Sequence, residues 1–120
     1  MRAFLCTFTF LLLCAAAPLA SAHAFPTHSS PAVGATLAQA PTNVKILFDG
    51  ELEPVFSTLS VQNAAGKPVS TGKGQVDSKN HFLLETALPP HLAPGTYKVI
   101  WSVISHDGHH TEGHFAFTLK

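Results

Sequence analysis

The segment TYKVIWSVI, residues 96–104, carries the strongest strand pattern in this chain. β-Branched and aromatic residues favour strands, and residues two apart in a strand share a face. Tyr97, Val99, Trp101 and Val103 therefore lie together on one apolar face. This alternation predicts a long strand with one side buried.

Shorter segments with a related pattern occur before and after it, separated by turn-forming residues. They are 44–48, 56–61, 69–76, 81–84 and 114–119. Residues 32–40 allow about one helical turn, because Gly34 and Pro41 limit a longer helix. Six or seven short strands with regular turns predict an all-β protein, an antiparallel β-sandwich with Trp101 and phenylalanines between its sheets.

The first 22 residues have the features of an export signal. Met1-Arg2 supplies a positive start, residues 3–19 are mostly apolar, and Ala20-Ser21-Ala22 is an A-x-A cleavage site. The apolar run is marginal for crossing about 30 Å of hydrocarbon. We expect residues 1–22 to be a cleaved signal peptide and residues 23–120 to form a single exported domain.

Processing at that site changes the chemistry that the chain can offer. Cys6, Cys14 and Met1 are all removed, so the expected domain contains no sulfur and lacks the soft ligands that Cu(I) prefers. Its six lysines and seven acidic residues form no basic cluster, which argues against nucleic acid or anionic lipid as a partner. All eight histidines remain.

Potential metal ligands concentrate at two places, the new N-terminus and residues 105–111. An N-terminal His23 can chelate one ion through its α-amine and its ring Nδ1. An α-amine has a reference pKa of about 7.7–8.0 and an imidazole of about 6.5, so a divalent metal can displace both protons near neutral pH. A second imidazole and a carboxylate would complete a tetragonal N/O site, which Cu(II) prefers.

Asp107-Gly108-His109 can supply those two donors. If the segment is extended, Asp107 and His109 project to the same face and His106 and His110 to the other. Gly108 leaves room and permits an unusual backbone angle. Asp-Gly-His is also a common turn sequence, and a histidine-rich surface can bind metal weakly and unselectively.

Several segments of the expected domain together resemble one family. They are His23-Ala24, SSPAVGA at 29–35, 41–48, EPVFS at 53–57, LAPGTYKVIW at 92–101, Val103-Ile104-Ser105, Asp107-Gly108-His109 and GHFAF at 113–117. Their order and spacing are similar to those of the CopC family of periplasmic copper-resistance proteins, over essentially the whole of residues 23–120.

The resemblance implies an immunoglobulin-like Greek-key β-sandwich with one Cu(II) ion at its end, held by His23, Asp107 and His109. It also implies a periplasmic location and a separate membrane partner of the CopD type. Many relatives have a glutamate near the copper where this chain has Gly50, and whether Asp49 or Glu51 replaces it stays open. The methionine-rich Cu(I) site of some relatives is expected to be absent.

The leading interpretation is a non-catalytic Cu(II) carrier or buffer for copper resistance or homeostasis. One alternative is a small copper-dependent monooxygenase, because histidine braces on β-sandwiches also occur in enzymes that cleave polysaccharides. Another is an immunoglobulin-like structural module with only weak metal binding.

Overall fold

The computed structural model describes residues 23–120, which form two four-stranded β-sheets with an apolar core between them. The predicted signal peptide lies outside the described residues. The strands are β1 Pro26–Ser30, β2 Thr36–Leu37, β3 Asn43–Phe48, β4 Thr58–Gln62, β5 Gln75–Val76, β6 Leu83–Ala87, β7 Gly95–Ile104 and β8 His110–Leu119. The prediction of an all-β sandwich is confirmed.

One sheet has the strand order β1-β3-β6-β5 and the other β2-β8-β7-β4. Every neighbouring pair is antiparallel except β2 and β8, where Thr36 and Leu37 pair in parallel with Thr118 and Leu119. The expectation of a wholly antiparallel sandwich is therefore corrected at this edge. Two residues are too few for a periodic pattern, so the sequence carried no signal for β2.

The longest strand, β7, supplies much of the core. Tyr97, Val99, Trp101 and Val103 are all buried, as the alternation predicted. Trp101 meets the ring of Phe48 edge-on from the opposite sheet, with ring centroids 5.3 Å apart. Burying each large apolar side chain contributes about 1.5–3 kcal/mol, so this strand is a major source of stability.

Some predicted elements were wrong in type or extent, because the short apolar segments that suggested them are too brief to show a clear period. Phe56 was expected to begin a strand, but it ends a 3-10 turn at Pro54–Phe56 and is 65% exposed. Proline fixes its own backbone angle near −65°, which suits the first residue of such a turn. Residues 32–40 contain β2 in place of a helical turn, and within residues 69–76 only Gln75–Val76 is a strand.

The fold brings three chain segments to one end of the sandwich. Strand β1 starts there just after His23, β3 ends there at Phe48, and residues 105–109 join β7 to β8 there. In residues 23–120, no helix has the length and apolar character needed to cross a membrane.

Candidate metal centre

The connection between β7 and β8 is a tight turn. Gly108 N donates to Ser105 O at 2.8 Å, and Ser105 N donates to His109 O at 2.9 Å. Gly108 has a φ of 89°, a left-handed conformation that favours glycine. The assumption of an extended segment is therefore wrong, whereas the expected need for glycine at this position is confirmed.

The turn places the Asp107 carboxylate against the His109 ring. Nδ1 of His109 donates a hydrogen bond to Oδ2 of Asp107 at 2.9 Å. The other carboxylate oxygen, Oδ1, accepts from the Ser105 hydroxyl and, at 3.3 Å, from the His109 backbone N–H. Because Nδ1 is engaged, Nε2 is the His109 nitrogen available to a metal ion.

The same contacts keep Asp107 ionised. The hydrogen bond from Ser105 is the largest cause that lowers the pKa of the Asp107 carboxyl below its usual value. Partial loss of hydration opposes this shift, and the hydrogen bonds and charge interaction with His109 reinforce it. Asp107 is thus a carboxylate across the whole pH range in which imidazoles titrate.

His23 lies beside this pair, although it comes from the opposite end of the domain sequence. The centroids of the His23 and His109 rings are 4.6 Å apart, and the ring planes are inclined by 38°. The Phe25 ring lies 6.0 Å from the His23 ring on a centroid basis. The fold therefore places the predicted N-terminal chelator next to the predicted Asp/His pair.

Two pairs of the predicted ligand residues are in contact: His109 lies beside His23, and it is hydrogen-bonded to Asp107. No group of three or more His, Cys, Asp or Glu side chains among residues 23–120 is arranged around a common metal position. Both carboxylate oxygens of Asp107 already accept hydrogen bonds, so direct coordination would use a remaining lone pair or replace one of these contacts. The assignment of His23, Asp107 and His109 as ligands stays a prediction.

The two neighbouring histidines make contacts elsewhere. Nδ1 of His106 lies 3.1 Å from a carboxylate oxygen of Glu53. Nε2 of His110 lies 2.7 Å from the Ser102 hydroxyl and 3.8 Å from a carboxylate oxygen of Glu112. The side chains of His106 and His110 are therefore directed to glutamate and serine partners outside the Asp107–His109 pair.

The sequence left open whether Asp49 or Glu51, on either side of Gly50, takes the place of the glutamate that many relatives have near the copper. Oδ1 of Asp49 accepts a hydrogen bond from the Phe25 backbone N–H at 2.7 Å. The carbonyl oxygen of Glu51 accepts from the His106 backbone N–H at 2.8 Å. Asp49 is therefore engaged with the segment that follows His23.

Sequence reasoning missed two residues that support the site. These are Ser105, whose hydroxyl donates to Asp107, and Thr111, whose hydroxyl donates to the Ala24 carbonyl oxygen at 2.7 Å. Asp49 was considered only as a replacement ligand, and its contact with the Phe25 backbone was not predicted. Each acts through a contact with a residue brought near by the fold or by the turn. Serine and threonine at such positions are too common for the sequence to mark them.

A small β-sandwich whose end combines two imidazoles and a carboxylate, without a thiol, has the architecture of a metal-binding domain with nitrogen and oxygen donors. The family model described as "CopC domain" matches residues 26–120. The chain therefore belongs to the CopC family of copper-resistance and copper-binding proteins.

Individual relatives agree with this membership. "Protein YobA" of Escherichia coli K12 is 34% identical over 103 residues, covering 86% of this chain and 83% of that protein. "Copper transport protein CutJ" of Bacillus subtilis is 33% identical over 98 residues, which cover 82% of this chain and only 18% of CutJ. The crystal structure of CopC from Methylosinus trichosporium OB3b superposes with a TM-score of 0.76 at 34% identity, covering 82% of this chain and 94% of that one.

Proposed function

We propose that this protein is an exported Cu(II) carrier or buffer of the periplasm, acting in copper resistance or homeostasis without catalysing a reaction. The proposal depends on one observation above all, the 4.6 Å separation of the His23 and His109 rings. Removal of residues 1–22 would free the His23 α-amine within this cluster. The ligand set is then the amine and ring of His23, Nε2 of His109 and a carboxylate oxygen of Asp107.

The donor chemistry supports Cu(II) as the single bound ion. Nitrogen and oxygen donors without sulfur suit Cu(II), which also has the highest affinity in the divalent series. The only methionine in the chain is Met1, so the methionine-rich Cu(I) site of some relatives has no counterpart in residues 23–120. Copper is therefore the cargo of one site in one oxidation state.

The exposure of the site supports a carrier role. The side chains of His109 and Asp107 are 54% and 36% exposed, so a second protein can reach the ion without unfolding the domain. We infer that the partner is a separate membrane protein of the CopD type. The match to a small part of CutJ, a much longer protein named for copper transport, supports a link between this domain and copper transport.

The deciding experiment compares Cu(II) binding by the exported protein, after mass spectrometry of its first residue, with a variant form in which the α-amine of His23 is acetylated. Acetylation converts the amine into a non-basic amide, supplies no new amine and retains every side chain. We expect one tight equivalent in the processed protein and a loss of affinity of about a hundredfold or more in the variant. Equal affinity of the two forms, or several weak equivalents in both, would refute the proposal.

A catalytic assay addresses the enzyme alternative. The copper-loaded protein is incubated with chitin or cellulose together with a reductant or peroxide. We expect no oxidised product above the level given by free copper. Product in proportion to bound copper would overturn the non-catalytic role.

A further inference from the structure

Three hydrogen bonds attach the residues after His23 to both sheets. The Thr111 hydroxyl, on β8, donates to the Ala24 carbonyl oxygen at 2.7 Å. Asp49, directly after β3, accepts from Phe25 N through Oδ1 at 2.7 Å and donates its own N–H to Phe25 O at 2.9 Å. The backbone of residues 24 and 25 is thus held from two directions.

Packing fixes the same segment. Ala24 is completely buried, although it lies one residue from the expected N-terminus. Gly50 packs against Ala24, because a Cβ atom built on Gly50 would lie 3.4 Å from Cβ of Ala24. Terminal residues are usually poorly ordered unless something ties them down.

Thr111 connects the His109 side of the site to the His23 side, because it lies near His109 on β8 and contacts Ala24. It stands two residues after His109, in the second position of β8. Strand β8, which begins directly after His109, therefore holds Ala24, the residue next to His23. This arrangement accounts for the closeness of the His23 and His109 rings.

We propose that Thr111 and Asp49 are positioning residues that hold His23 against His109 before copper arrives. The inference rests on the proposed Cu(II) function and deepens it, because a prearranged chelator loses less conformational freedom on binding the ion. In this inference Asp49 binds the backbone of Phe25 and is not a metal ligand. Neither residue needs to touch copper.

The first test removes the hydroxyl with Thr111→Val and restores it with Thr111→Ser. Thr118→Val is the matched control, because Thr118 is also on β8 and its hydroxyl contacts Thr96 at 3.3 Å. We expect Thr111→Val to weaken Cu(II) binding about tenfold, as for the loss of one hydrogen bond. Thr111→Ser and Thr118→Val should bind like the unmodified protein.

The electron paramagnetic resonance spectrum of the copper-saturated variants separates positioning from ligation. Thr111→Val and Asp49→Asn should both keep the spectrum of the unmodified protein, and Asp49→Asn should keep most of the affinity because its amide oxygen still accepts from Phe25. Asp49→Ala should weaken binding with an unchanged spectrum. A changed spectrum in Asp49→Asn would overturn the assignment of Asp49.

A metal-free measurement makes the inference independent of copper affinity. The amide proton of Phe25 should exchange with solvent faster in Thr111→Val than in Thr118→Val. Equal exchange in these variants, or equal loss of affinity, would refute the positioning role. If the unmodified protein lacked tight Cu(II) binding, the proposed function would fail, and the exchange rates would still decide whether Thr111 holds the segment.

Discussion

Nδ1 of His109 donates a hydrogen bond to Oδ2 of Asp107 across 2.9 Å, within the turn that Gly108 makes possible. This contact fixes the orientation of the ring and leaves Nε2 to face a metal ion. A carboxylate paired with the far nitrogen of an imidazole also raises its basicity, as in many metal sites. Asp107 can therefore contribute to copper binding through His109 as well as by direct coordination.

The first prediction concerns His23. His23→Ala should weaken Cu(II) binding by about a hundredfold, because it removes the ring and breaks the chelate while leaving the amine. Isothermal titration calorimetry with a competing ligand measures the change. His28→Ala is the control, since His28 is an exposed histidine on β1, and it should bind normally. If His28→Ala weakened Cu(II) binding more than His23→Ala, the assignment of His23 as a ligand would be wrong.

The second prediction ranks the two residues of the turn. His109→Ala should weaken binding by somewhat less than His23→Ala. Asp107→Asn should cost only about tenfold, because an axial carboxylate bonds weakly to tetragonal Cu(II) and a lost partner of a metal-bound histidine typically costs 10–100-fold. The same titrations give the order. Similar affinities for His23→Ala, His109→Ala and Asp107→Asn would be incompatible with the proposed ligand set.

The third prediction is the pH dependence of binding. Cu(II) affinity should fall below about pH 6, because protons compete for the amine and imidazole nitrogens. Asp107 does not cause this loss. Its pKa is lowered by Ser105 and His109, so its contribution is complete above the ordinary carboxyl range and disappears only as the pH falls through the lowered value.

Ser105→Ala tests the origin of that shift. Removing the hydroxyl should raise the pKa of Asp107 toward its ordinary value, which a carbon-13 NMR titration of the carboxyl group can follow. The fall of Cu(II) affinity near pH 6 should keep its midpoint in this variant. A midpoint that moved with the Asp107 pKa would show that the carboxylate limits binding.

The fourth prediction concerns the core beneath the site. A Cβ atom at Gly113 would lie 2.6 Å from Cζ2 of Trp101, so Gly113→Ala must displace the indole. We expect a loss of about 1–3 kcal/mol in the free energy of unfolding, typical of overpacking. Urea unfolding followed by the fluorescence of Trp101, the only tryptophan, measures it. Gly50→Ala is the control and should cost less, because its Cβ would meet Ala24 at 3.4 Å.

Much of the fold could be predicted because β3, β7 and the second half of β8 have clear alternation. Strand β1 was missed because Pro26–Ser30 is polar and mostly exposed, and an edge strand with no buried face leaves no hydrophobic pattern. The true start of β8 at His110 was missed for a similar reason, since its first residues alternate between exposed and half-buried polar side chains.

The amino-acid sequence alone established the all-β class, the buried face of β7 and a stock of nitrogen and oxygen donors, because periodicity and residue type are local properties of the chain. Tertiary structure alone decided that His23 lies beside His109, that Thr111 and Asp49 hold the segment between His23 and β1, and that β2 runs parallel to β8. These contacts join residues far apart in the chain, and they exist only because the two sheets pack in one register and bring their ends together.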